Sequence, residues 1–187
     1  MPNFPRITVH AGAYLALAFL LMIMELNWIC AFILSAAIHE LFHIAMLSIL
    51  KCHIHEISIG MTGAKIVTAP LSRKQEFLCS LSGPVGGMLP ILLAAAFPRL
   101  ALCAFFHSFC NLIPLYPLDG GRALRCIVPK PYLSFIELPI IVLLLAIGIH
   151  MTGWLGIIVA FVVIVRPLTE KYLAKNRPSG YNIATIK

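Results

Sequence analysis

The run Trp28-Ile-Cys-Ala-Phe-Ile-Leu-Ser-Ala-Ala-Ile-His39-Glu40-Leu-Phe-His43-Ile-Ala-Met-Leu-Ser-Ile-Leu50 decides how this chain is read. Its length and apolar character suit a bilayer-crossing helix, which needs about 20 residues. Within it, His39 and His43 stand four residues apart and share a helix face, so both imidazoles can address one metal ion. Glu40, beside the first histidine, reaches the open coordination side and has the position of a general base. The plain alternative is a polar stripe hydrogen-bonded within a helix bundle. An ionised group at membrane depth costs on the order of 2 to 3 kcal/mol on insertion scales, which disfavours an idle cluster and favours zinc.

The rest of the chain supplies the setting. Of its 187 residues 60% are hydrophobic and only 11% charged, a composition that excludes an ordinary soluble domain. Apolar stretches at Ala11 to Met24, Trp28 to Leu50, Phe77 to Phe97, Leu100 to Leu118, Leu133 to Ile149 and Trp154 to Val165 predict an all-α polytopic membrane protein of about six transmembrane helices. The first stretch lacks a small-residue cleavage site and is read as a retained helix. Lysine and arginine gather at Arg6, at Lys51, Lys65, Arg73 and Lys74, at Arg122, Arg125 and Lys130, and from Arg166 to Lys187, leaving only Arg99 on the other side. By the positive-inside rule both termini are expected to be cytoplasmic; the membrane is expected to be that of a bacterial cell. The net charge of +7 then follows from topology and contact with the lipid bilayer, and no nucleic acid partner is implied.

Between the second and third helices, His53 to Ile59 alternates in polarity, Gly60-Met-Thr-Gly63 forms a turn, and Ala64 to Thr68 returns. This pattern predicts a small membrane-associated β-hairpin whose exposed edge can take up an extended peptide. The six cysteines form no CxxC pair and read as small buried side chains. Residues 1–170 are expected to form one six-helix domain, with its motif-bearing core at about 28–125, followed by a flexible basic cytoplasmic tail over 171–187.

Two histidines leave a catalytic zinc one protein ligand short. The acidic candidates are Glu25, Glu56, Glu76, Asp119, Glu137 and Glu170. Only Asp119 sits in a motif, the run Asn111-Leu-Ile-Pro-Leu-Tyr-Pro-Leu-Asp119-Gly-Gly-Arg122. Pro114 and Pro117 break the fourth helix there, and irregular backbone at membrane depth is tolerated where it is buried or lines a wet cavity. Asn111 is the neutral donor best placed to stabilise an oxyanion or orient a substrate backbone, the alternative being an interhelical hydrogen bond. His107, one turn earlier, is read as a packing group of the bundle.

His39-Glu40-Leu-Phe-His43, Ser82-Gly83-Pro84 and Asn111-x-x-Pro114-x-x-Pro117-Leu-Asp119-Gly120 together resemble the motifs of the site-2 protease family of intramembrane zinc metalloproteases. The six-helix layout is similar to the subgroup of stage IV sporulation protein FB. The resemblance implies one zinc per chain, held by His39, His43 and Asp119, with Glu40 activating the attacking water. It also implies a membrane-tethered protein substrate, a regulator such as a pro-sigma factor, and leaves room for a separate regulatory membrane partner. The family often carries asparagine where this chain has Gly87, so that residue's role is not carried over. Two other readings use the same residues: a zinc-binding adaptor without proteolysis, and a metal transporter with His107 as a further relay ligand.

Overall fold

A computed structural model describes residues 5–61, 63–152 and 184–186. The chain begins with β1 (Arg6–Val9) and α1 (Ala11–Ile23), followed after a break at Met24 and Glu25 by α2 (Leu26–Ile49). The break closes α1 at thirteen residues, about 20 Å at 1.5 Å per residue, against a hydrocarbon core of about 30 Å. α2 is continuous over 24 residues and carries the His39 and His43 face inward. It ends in a Schellman motif, with Cys52 N–H bonded to the Leu47 carbonyl (2.9 Å) and Lys51 N–H to that of Ser48 (3.1 Å). Lys51 takes the left-handed position usually given to glycine, at φ 53°.

The predicted hairpin is present as β2 (Ile54–Gly60) and β3 (Gly63–Thr68), turning at Gly63 with φ 110°. Its surroundings differ from the expectation. β1 pairs in parallel with β2, and β4 (Ala184–Ile186) pairs antiparallel with β3, so the sheet runs β1-β2-β3-β4 and both hairpin edges are covered. A four-residue strand before the first helix carries too little alternation to be seen in sequence. Of the expected basic tail, only β4 lies among the described residues. The sheet docks on the helices through Ile66, which is buried with Leu47 of α2 and Cys79 of the next helix.

That helix, α3 (Arg73–Gly87), starts with a capping box in which Ser72 accepts from the Gln75 amide and the Gln75 side chain accepts from Ser72 N–H. A 3-10 turn over Leu89–Leu93 extends it beyond Gly87. Gly83 and Gly86 face α2, and a Cβ at Gly86 would overlap the Phe42 ring, so these two helices meet almost backbone to side chain. α4 (Pro98–Leu112) packs on α2 and α3 and stops where expected, before Pro114 and Pro117. After a loop over 113–118, Asp119 opens α5 (Asp119–Ile127), and α6 (Lys130–Thr152) follows with an almost wholly exposed apolar surface.

Three segments are long and apolar enough to cross a membrane: Leu26–Ile49, Arg73–Leu93 and Lys130–Gly148. Together with the exposed apolar faces, they mark an integral membrane protein. The expected count of six is therefore not reproduced among the described residues, because α1 and α4 are shortened by the break at Glu25 and the loop at Pro114. The sixth stretch, Trp154 to Val165, lies outside them.

Candidate metal centre

The packing of α5 against α3, and of α2 against α3 and α4, brings Asp119 to the two histidines of α2 across nearly eighty residues of sequence. His39 Nε2 lies 3.0 Å from Asp119 Oδ2, His43 Nε2 lies 3.2 Å from the same oxygen, and the two Nε2 atoms are 3.1 Å apart. All three side chains are buried, His43 and Asp119 completely. Asp119 is the first residue of α5, where the free amides of the opening turn favour its negative charge.

One proton position follows from the geometry. His43 Nδ1 is 2.7 Å from the Cys79 carbonyl, which can only accept, so Nδ1 carries a proton and, in the neutral imidazole, Nε2 is the atom with the lone pair. Asp119 contributes oxygen lone pairs as well. Two imidazole Nε2 atoms and a carboxylate oxygen thus converge on one buried point, a donor set that suits a cation. Tetrahedral ligands about 2.0 to 2.1 Å from zinc stand roughly 3.3 Å apart, and the observed separations of 3.0, 3.1 and 3.2 Å need little adjustment to meet that. The residues therefore fit a zinc ion, and among the described residues they form the group of histidine, cysteine and acid side chains able to hold a metal.

Gly83 shapes the same place from α3. A Cβ there would overlap His43 Nε2, so the Gly-Pro motif of α3 supplies room for the imidazole as well as for helix packing. Gly120 and Gly121 do the corresponding work for α5, since a Cβ on either would strike backbone of the 112–116 segment folded over it. Arg122, only 4% exposed, reaches Glu76 of α3 at 3.3 Å and ties the helix carrying Asp119 to the helix carrying Gly83.

Glu40 lies half-buried on α2 next to His39. Asn111 is half-buried near the end of α4, but its amide nitrogen donates to the His107 carbonyl one turn back, at 2.9 Å. In this geometry its amide NH2 is engaged with its own helix. The His107 ring packs edge-on against His39 at 4.8 Å between centroids and also contacts Phe32, a packing role next to the centre. His53 and His55 touch each other on β2, away from this group. All six cysteines are free, and burial pushes the Cys52 thiol up, which makes it a poor nucleophile. The Cys79 carbonyl was not recognisable in sequence as a partner of His43, because a backbone acceptor carries no residue-type signal.

No protein-family model matches the chain, and no curated protein matches it. Among solved structures, the site-2 protease from Methanocaldococcus jannaschii is similar, with a TM-score of 0.62 and 21% identity, covering 84% of this chain and 86% of that one. At this identity the likeness establishes a shared fold.

Proposed function

We propose that the chain is an intramembrane zinc metalloprotease that hydrolyses a peptide bond in or near the transmembrane segment of a membrane-tethered protein. The observation that carries this reading is the convergence of His39 Nε2, His43 Nε2 and Asp119 Oδ2 on one buried point, with Glu40 next to His39 in the chain. The fold shared with a site-2 protease and the motifs of α2, α3 and the 111–120 segment support it.

His39 Nε2, His43 Nε2 and an Asp119 carboxylate oxygen would hold zinc, which supplies Lewis acidity to the scissile carbonyl and to the attacking water. Glu40 accepts the proton lost by that water. The water oxygen bonds to the carbonyl carbon, the carbon–nitrogen bond breaks, and Glu40 returns the proton to the departing amine nitrogen. The Cys79 carbonyl keeps the His43 proton on Nδ1 and so keeps Nε2 available throughout. A peptide bond inside a helix is shielded, so substrates are expected to carry helix-weakening residues and to present an extended segment. With both hairpin edges covered, such a segment would add as a strand at an outer edge of the sheet, or at the β3 edge once β4 is displaced. The motifs extend the proposal to a regulatory substrate such as a pro-sigma factor, with a separate membrane partner controlling access.

The test is cleavage of a panel of membrane-tethered regulators in proteoliposomes, with metal content measured in parallel. Glu40→Gln should keep its zinc and lower cleavage by about 10²- to 10⁴-fold. Asp119→Ala should lose both zinc and activity. Cleavage by Glu40→Gln at the wild-type rate would refute the mechanism, and full zinc content in Asp119→Ala would refute the ligand set. Zinc flux across the liposomes without cleavage would favour a transporter instead.

A further inference from the structure

Histidines that ligate through Nε2 must keep a proton on Nδ1, and that buried N–H needs an acceptor. His43 has one in the Cys79 carbonyl. His39, 2% exposed, has none: its Nδ1 is buried without a hydrogen-bond partner. On α4, Ser108 is fully buried and its hydroxyl is also without a partner. Gly87 of α3 brings these two atoms into relation. A Cβ built on it would lie 2.7 Å from Ser108 Oγ and 3.2 Å from His39 Nδ1, so both unsatisfied atoms face the same bare side of one glycine.

We propose that Ser108 is the positioning residue for His39. Its hydroxyl accepts the Nδ1–H proton, directly once the ring settles on a metal or through one bridging water, and thereby fixes the tautomer that leaves Nε2 free to ligate. Gly87 is the condition for this contact, since any side chain there would enter the space between hydroxyl and ring. The inference rests on the zinc reading of His39, His43 and Asp119. It assigns a function to two small residues that would otherwise pass as helix-packing positions.

Two neighbours are rival acceptors. Ser35, one turn before His39 on α2, is buried with an unpartnered hydroxyl, and the His107 ring packs on the His39 ring. The experiment therefore compares Ser108→Ala, Ser35→Ala and His107→Phe in the full chain in detergent micelles. Zinc affinity is read by chelator competition, the visible spectrum of the cobalt-substituted protein reports ligand geometry, and thermal unfolding of the metal-free forms reports folding. Ser108→Ala should weaken zinc binding about 10- to 100-fold and alter the cobalt spectrum, while unfolding like wild type without metal. Ser35→Ala and His107→Phe should retain wild-type affinity and spectrum. Wild-type zinc affinity in Ser108→Ala, or an equal loss in either rival, overturns the assignment. If wild type binds zinc and Asp119→Ala does not, such a result removes this inference alone. If wild type binds no metal, the zinc reading falls and takes the inference with it.

Discussion

Replacing Gly83 with alanine should disable the proposed metal centre from outside the three residues that would ligate it. The new methyl carbon would overlap His43 Nε2 and sit 2.5 Å from Cε1 and 2.7 Å from Cδ2 of the same ring. Non-bonded carbons rest about 3.5 to 4.0 Å apart, so the ring has to retreat by roughly 1 Å. Such a retreat is costly, because the ring is fully buried and anchored through Nδ1 to the Cys79 carbonyl. A metal ligand tolerates only about 0.2 Å of error in its distance, so the retreating ring leaves the centre. In the metal-free protein the ring can relax, and binding must then restore the crowded position. Crowding of this kind costs about 1 to 3 kcal/mol, which corresponds to an affinity loss of roughly 5- to 150-fold. Gly60→Ala is the matched control, because a Cβ there meets nothing within 4 Å. Zinc affinity by chelator competition and peptide cleavage should both fall in Gly83→Ala and be preserved in Gly60→Ala. If Gly83→Ala binds zinc as tightly as Gly60→Ala, the role assigned to this glycine is wrong.

Two further outcomes can be checked on the fold. Lys51→Gly removes a side chain from a left-handed Schellman position that costs a non-glycine residue about 1 to 2 kcal/mol, partly offset by about 0.4 to 1 kcal/mol of added unfolded-state freedom. The variant should be more resistant to thermal unfolding in detergent, and an unchanged or lowered midpoint contradicts that account. Removing residues 184–187 takes β4 away and opens the β3 edge over Ile66, Val67 and Thr68. If substrates add as strands there, KM should fall with kcat little changed, whereas an unaltered KM argues that substrates bind elsewhere.

The three side chains that converge were legible because their signals are chemical and local. His39 and His43 declare themselves through a spacing that only a helix makes useful, and Asp119 through a proline-broken helix around the chain's one aspartate. The hairpin was legible from alternation, and its turn from Gly60 and Gly63. What escaped was set by packing between distant segments. β1 is too short to show a period and acquires its identity from β2, and the Cys79 carbonyl has no side-chain signature. The length of α1 escaped for another reason. Hydropathy runs through Met24, whereas helical hydrogen bonding stops at Ile23. Asn111 was correctly placed near the helix break, but sequence gave no sign that its amide would turn back on His107.

The sheet also constrains how the chain can be threaded. β1 precedes the first helix and β4 lies within four residues of Lys187, yet both are strands of one hydrogen-bonded unit. Hydrogen-bonded neighbours cannot be split by a bilayer, so any threading in which the helices cross one has to bring residues 6–9 and 184–186 to the same side. The same constraint holds between β1 and β2, which requires α1 to count as a crossing despite its thirteen residues if α2 is one. In such a threading the positive-inside rule would choose the side, and the strands would make it common to β1 and β4.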